Sequence, residues 1–245
     1  GNNAKAAETT KTADGKIQLD LWYSGGKTAV NVFQDIVDAF NESQDKYEVK
    51  TTTQADYTET YEKLQAGIAG KKAPDMALLD TDKSRNLSEK NLVADINDYV
   101  EKDDSFEKDD YLPVFYEQGE DENGKLFALP AYGTTQVMYY NKAAFEKAGI
   151  DPATIKTWQD LAAAAEKMTA SDGSFVGWEP MWGSGNLIDA ALSNGASLLS
   201  EDGKKVMINS DEWVEVWESF RTWIHDDKIM KVNSGGQGWE YWYTT

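Results

Sequence analysis

The chain has 245 residues, of which 40% are apolar and 27% charged, and its formal net charge is −19. This composition is that of a globular protein rather than a disordered or membrane-spanning one, and the length predicts two lobes. The negative charge argues against nucleic-acid partners. With no cysteine and one histidine, thiol nucleophiles, Cys/His zinc sites and Ser–His–Asp relays are nearly excluded. We therefore expect no catalytic residue, no metal and no cofactor.

The first half of the chain alternates between strand-like and helix-like segments. Residues 1–14 are small, polar and unpatterned, which predicts a flexible linker. The elements predicted after it are strands at Ile17–Tyr23, 46–53 and Met76–Leu79, and helices at 28–43, 57–70 and 84–96. Strands that alternate with helices indicate an α/β fold with mostly parallel sheets flanked by helices.

The second half follows an acidic, loop-like stretch at 98–110. Strands predicted at Leu126–Leu129 and Gln136–Tyr140 flank a crossover near 130–136, which divides the chain into lobe 1 (15–132) and lobe 2 (133–245). The helices predicted beyond it are a short one ended by Gly149 and others at 157–168, Leu187–Ser193 and 210–227, with Ser210 as the cap of the last. On that last helix, Trp213 and Trp217 are predicted to face the core with Phe220 and Ile224.

Polar residues follow two of the predicted strands. Ligands of parallel sheets bind at the carboxyl ends of the strands, which indicates the turn Ser24, Gly25, Gly26 and Lys27 and the segment Asp80–Asp82. The turn lacks the GxxxxGK[ST] frame of a phosphate loop, so we interpret it as a strand-to-helix turn whose free N–H groups bond a ligand. The pair Asp80 and Asp82 could also serve a glycosidase, but 43 acidic residues make chance pairs common.

Four tryptophans stand among Gly, Pro and polar residues instead of on a helical face. They are Trp178, Trp182, Trp239 and Trp242, the first two within GWEPMWG. Aromatic side chains on loops often mark binding sites, and their flat faces suit the C–H faces of sugar rings. The alternative is that one or two of them fill a small satellite core.

The order of these features resembles the family-1 extracellular solute-binding proteins of ABC importers, the group that includes maltose-binding protein. The resemblance rests on the strand LDLWYSGG, the segment YEKLQAGIAGKKAPDM and, most specifically, the pattern LP…YYNK..F.KAG…TW.DL between Leu129 and Leu161. It covers most of residues 17–168. Within the family, the chain looks most like the branch that contains the sn-glycerol-3-phosphate-binding protein.

The resemblance implies a two-lobed type II periplasmic-binding-protein fold, a monomer that closes on a carbohydrate or polyol and delivers it to ABC permease subunits in the membrane. Position by position, it implies ligand contacts at Tyr57, near Asp80 and Asp82, at Thr134 or Thr135, and at Trp178 and Trp182. It also implies a periplasmic protein or an extracellular lipoprotein, in which GNNAKAAE follows a lipidated cysteine. Since family members are considerably longer, we expect a chain that lacks its C-terminal part.

Two ligand classes stay open at this point. The aromatic loops favour a neutral oligosaccharide, whereas the nearest branch favours glycerol phosphate or a glycerophosphodiester. An anion would need basic partners, and Lys27 is the only basic residue near the first-lobe turn, so we favour the sugar. A secreted glycosidase and a surface adhesin are the rival classes, and the resemblance ranks both behind the transport protein.

Overall fold

The computed structural model describes residues 9–181 and 184–232. The chain divides into two units, and the division falls between Thr135 and Gln136. We refer to them as the first unit and the second unit. Within the part of the chain that is described, no helix has the length and apolar character needed to cross a bilayer.

The first unit is built on a parallel sheet in the order β2-β1-β3. Its strands are β1 (Ile17–Ser24), β2 (Tyr47–Gln54) and β3 (Met76–Ala77), and its helices are α1 (Lys27–Ser43), α2 (Tyr57–Ala69), α3 (Thr81–Glu89), α4 (Asn97–Val100) and α5 (Pro113–Tyr116). β1 pairs with β2 along its whole length, and β3 pairs with the other side of β1 at Leu21 and Trp22. The predicted alternation of strands and helices in this half is confirmed.

Two predictions about helix and linker boundaries in the first unit are wrong. The helix predicted at 84–96 ends at Glu89, because Asn91 adopts a left-handed φ of 56° and the N–H of Leu92 donates to the carbonyl oxygen of Leu87 at 3.0 Å, which closes the helix. The predicted linker is ordered at residues 10–14, where a tight turn returns to β1 and the N–H of Gln18 donates to the Thr10 carbonyl at 2.8 Å.

The two strands predicted around the crossover are also wrong. Leu126 makes only an isolated bridge to Glu120, and residues 136–140 form no strand. Val137 and Tyr139 are 66% and 63% exposed. Alternation of apolar side chains predicts which face of a strand would be buried, but it does not predict the neighbouring strand whose hydrogen bonds a strand also needs.

The second unit packs helices around a short parallel pair of strands. The strands are β4 (Trp178–Met181) and β5 (Met230–Val232), and the helices are α6 (Lys142–Ala148), α7 (Trp158–Met168), α8 (Ser184–Ser193) and α9 (Asp211–Arg221). The helices here are confirmed, including the capping box at Thr157 that begins α7. α9 ends at Arg221, however, and continues only as a wider π-helical turn.

The core of the second unit corrects the expectation for α9. Trp213, Val216 and Phe220 are buried, but Trp217 is 56% exposed. Trp217 lies four residues after Trp213 and so at the edge of the buried stripe, whose centre passes through Val216 and Phe220. Ser210 stands at the cap position without a capping bond from its side chain, contrary to the prediction.

Candidate functional site

Three strand-to-helix turns lie at one edge of the first-unit sheet. β1, β2 and β3 are parallel, so their carboxyl ends lie at the same edge, and each is followed by the N-terminus of α1, α2 or α3. We call the residues at this edge, 24–27, 54–57 and 78–83, the carboxyl edge. Helix N-termini present unbonded N–H groups and a partial positive charge, so the carboxyl edge suits ligands rich in oxygen.

The turn between β1 and α1 combines one buried hydroxyl with three exposed residues. Ser24 is 2% exposed, and its Oγ has no hydrogen-bond partner in the described residues. Gly25 has a φ of +156°, where a side chain would be strained and its Cβ would lie 3.1 Å from that of Ala29. Gly26 caps α1 without a side-chain bond, and Lys27 is exposed. All four predicted residues of this turn therefore lie at the carboxyl edge.

Tyr57, the first residue of α2, faces a residue that the sequence did not single out. Its hydroxyl oxygen lies 2.5 Å from that of Tyr132, in the crossover segment. Burial, followed by the hydrogen bond to Tyr132 and by the charge of Asp80, raises the pKa of Tyr57 to about 12. The Tyr57 hydroxyl is therefore neutral at physiological pH and can donate or accept a hydrogen bond.

Tyr132 also belongs to a small aromatic group with residues of α1 and β1. Its ring centroid lies 6.2 Å from that of Phe33, which in turn lies 5.6 Å from Tyr23. Tyr132 is 51% exposed, so one part of its ring packs while the other faces solvent. Sequence reasoning missed Tyr132 and its contact with Phe33, because only the fold brings residues 33, 57 and 132 together.

Asp80 caps α3 and is already engaged by a lysine. Its carboxylate accepts from the N–H of Lys83 at 2.9 Å and from its Nζ at 2.7 Å. Burial raises the pKa of Asp80, but the hydrogen bonds and charge of Lys83 outweigh it, so the pKa lies below its ordinary value. The pKa of Lys83 is raised by the same bond and further by the charges of Asp80, Asp82 and Asp56. Asp82 is exposed.

The structure corrects the prediction for Trp178, which lies in the core. It is 3% exposed and belongs to strand β4 rather than to a surface loop. Its ring stacks on Trp158 with centroids 5.9 Å apart and 13° between planes, and Phe220 and Trp223 contact it at 6.0 Å and 5.4 Å. The ring is therefore enclosed by protein, which contradicts the prediction that Trp178 stacks on a ligand.

The remaining predicted site residues lie in the crossover or outside the described residues. Thr134 and Thr135 are exposed residues that follow Tyr132 in the crossover. Trp182, Trp239 and Trp242 lie outside the described residues. Within residues 9–181 and 184–232, no three His, Asp or Glu side chains are arranged to hold a metal ion.

Comparison of the sequence with known proteins gives three findings. A profile of the bacterial extracellular solute-binding protein family matches residues 35–245. The arabinooligosaccharide-binding protein of Bacillus subtilis is 25% identical over 97% of this chain and 54% of its own length. The sn-glycerol-3-phosphate-binding periplasmic protein of Brucella abortus is 31% identical over 67% of this chain and 39% of its own. The chain thus spans about half the length, or less, of these curated relatives.

Solved structures give the same fold. An ABC substrate-binding protein from Listeria monocytogenes in complex with cycloalternan matches with a TM-score of 0.70 and 25% identity, over 93% of this chain and 58% of that one. The cyclic alpha-maltosyl-1,6-maltose binding protein from Arthrobacter globiformis matches with a TM-score of 0.71 and 21% identity, over 91% and 57%. The predicted type II periplasmic-binding-protein fold is confirmed for the part of the fold that this chain contains.

Proposed function

We propose, since this chain belongs to the bacterial extracellular solute-binding protein family, that it is the ligand-capturing component of an ABC importer and binds a neutral oligosaccharide at the carboxyl edge. In this role the protein delivers the sugar to permease subunits in the membrane and carries out no covalent chemistry. It acts outside the cytoplasm, either as a lipoprotein anchored at its N-terminus or as a free periplasmic protein.

The observation that carries the proposal is the pair of hydroxyls of Tyr57 and Tyr132, which bond to each other where α2 begins at the carboxyl edge. These groups both donate and accept, as the hydroxyls of a sugar do. The exposed part of the Tyr132 ring adds an apolar face at the same edge. A neutral sugar therefore finds complementary groups here without any change of protonation.

Charge at the carboxyl edge favours a neutral ligand over an anion. Asp80 and Asp82 lie there, and the Nζ of Lys83 is bonded to Asp80 at 2.7 Å. Lys27 is the exposed cation of this edge without a described ion-pair partner. A phosphate ligand would want several cations or a cluster of free N–H groups, and here it would meet carboxylates as well.

Glycerol phosphate is the second candidate, and it has its own support. Lys27 begins α1, whose first N–H groups have no side-chain cap, and a helix N-terminus with a lysine can bind a phosphate. The similarity to the Brucella abortus protein also favours this ligand. A secreted glycosidase stays a distant third, since it would have to recruit two carboxylates that act on one bond.

Calorimetric titration of the chain with an arabino-oligosaccharide, maltose and sn-glycerol 3-phosphate tests the proposal. We expect saturable, salt-insensitive binding of a sugar, weakened by Tyr57→Phe by about 0.5–1.5 kcal/mol, the cost of one hydrogen bond. Tyr99→Phe, at a tyrosine 67% exposed on α4, is the matched control and should change nothing. Binding of glycerol phosphate alone, lost in Lys27→Ala, would overturn the sugar assignment, and turnover of an aryl glycoside would indicate an enzyme.

A further inference from the structure

The crossover segment is held on the first unit at two successive residues. At Tyr132, the hydroxyl bonds to Tyr57 of α2 and the ring contacts Phe33 of α1. Because these two contacts come from two different helices, they restrain the orientation of the Tyr132 side chain.

Gly133 is held in a different way, by steric fit against α5. A Cβ atom at this position would lie 2.6 Å from Cδ1 of Phe115 and closer still to its Cε1 and Cζ. The backbone of the crossover therefore lies against the Phe115 ring, at a distance that a residue with a Cβ could reach only if the ring moved. The helix that bears Phe115 is well packed, because the next residue of α5, Tyr116, is 4% exposed and its ring centroid lies 5.6 Å from that of Tyr111.

The two residues that follow Gly133 are accessible to a probe. Thr134 and Thr135 are exposed, and neither makes a hydrogen bond to any residue that the structure describes. Thr134 can therefore carry a label directly beside the segment that Phe115 contacts.

We propose that Phe115, through its contact with Gly133, is a positioning residue that holds Tyr132 against Tyr57, so that the pair of hydroxyls is preformed. The part that concerns ligand rests on the proposed function. Phe115 acts through its neighbours, since its ring packs on the crossover backbone rather than on the hydroxyl pair.

Spin-label distances test the proposal without any ligand. The chain has no cysteine, so cysteines introduced at Glu62 and Thr134 report only the position of the crossover relative to α2. Labels at Glu62 and Glu89, both exposed in the first unit, report the body of that unit. We expect a narrow Glu62–Thr134 distance distribution in the parent chain and a broader one in Phe115→Ala, with the Glu62–Glu89 distribution unchanged. An unchanged Glu62–Thr134 distribution, or equal broadening of both pairs, would overturn the proposal.

A second pair of variants tests the proposal even if Phe115→Ala destabilises the whole first unit. Gly133→Ala should shift the mean Glu62–Thr134 distance, and adding Phe115→Leu, which removes the ring atoms in the way, should restore it. Gly185→Ala, where a Cβ meets nothing within 4 Å, should leave the distance unchanged. If Gly133→Ala has no effect because the ring swings aside, or if Phe115→Leu gives no rescue, the positioning role is wrong. Failure of the proposed function would instead appear as absence of sugar binding by the parent chain with these distances intact.

Discussion

The two units use their aromatic residues in opposite ways. In the first unit, Tyr57 at the start of α2 and Tyr132 in the crossover are only partly buried, and their hydroxyls bond to each other. In the second, Trp158 and Trp178 are packed ring on ring, with Phe220 against both. The first arrangement leaves polar atoms and ring surface available to a ligand, whereas the second uses the same kind of side chain to remove apolar area from water. Whether an aromatic residue near glycine binds a ligand or packs in the core can therefore be decided only when its neighbours in space are known.

The largest expected effect comes from breaking the packed region at its centre. Trp178→Ala removes a ring that is 3% exposed, and we expect the free energy of unfolding to fall by about 3–5 kcal/mol. Urea denaturation followed by circular dichroism measures this. Trp217→Ala, at a ring 56% exposed, is the control and should cost much less. Equal losses in the two variants would show that burial does not distinguish these tryptophans.

The next largest effect on stability is expected at Gly177, the residue before Trp178, which lets β4 approach α7 closely. A Cβ on Gly177 would lie 2.8 Å from the Cα of Ala165 and closer still to its carbonyl oxygen, and both are backbone atoms of α7 that cannot turn aside. We expect Gly177→Ala to lower the free energy of unfolding by roughly 1–3 kcal/mol. Gly185→Ala, an unobstructed position on α8, should instead be neutral or slightly stabilising. A neutral Gly177→Ala would mean that β4 and α7 can separate at little cost.

A smaller effect is expected at the charged part of the carboxyl edge. Asp80→Asn keeps a good helix cap but removes the ion pair with Lys83, so the loss of unfolding free energy should be at most about 1 kcal/mol. Because the pKa of Asp80 is lowered in the folded chain, its contribution is complete above the ordinary value of 3.8 and is lost as the pH falls below it. Denaturation should therefore show a difference in unfolding free energy between Asp80→Asn and the parent at neutral pH but not in acid. A difference that persists in acid would contradict the ion-pair explanation.

The smallest expected effect is confined to alkaline pH. The pKa of Tyr57 is raised from 10.0 to about 12, so its neutral form is favoured in the folded chain. Its contribution to stability is complete below pH 10.0 and declines as the pH rises toward 12. Tyr57→Phe should flatten this part of the stability curve, and Tyr132→Phe should lower the Tyr57 pKa by removing its hydrogen-bond partner. Absorbance titration of the phenolate band follows both, with Tyr99→Phe as the control.

Local patterns were enough to predict much of the first unit. The residues of β1, α1, β2 and α2 carry a strand or helix period within one short segment, and the carboxyl-edge rule then indicated Ser24–Lys27 and Asp80. Tyr57 was indicated by the family resemblance instead. Tyr132 could not be found from a local pattern. It follows Tyr57 by 75 positions, and no local period links the two residues.

The tryptophans show where local reasoning fails. GWEPMWG has the Gly and Pro content of a loop, yet Trp178–Met181 is a strand whose register with β5 shifts between Trp178 and Met181, and proline is tolerated at such irregular or edge positions. Trp217 has the spacing of a core residue, yet no described element covers it enough to bury it. Burial depends on which elements pack against a face, and this is a property of the whole fold.

The exposed run Val137–Tyr140 has a consequence for how the protein behaves in solution. These four residues are uncharged and are each at least 44% exposed, so they form an apolar surface patch through which two molecules can associate. The net charge of −19 keeps molecules apart at low ionic strength, but screening shortens that repulsion to about 8 Å in physiological salt. Colloidal stability should therefore fall as salt is added, so a low-salt buffer is the better choice for storage and concentration.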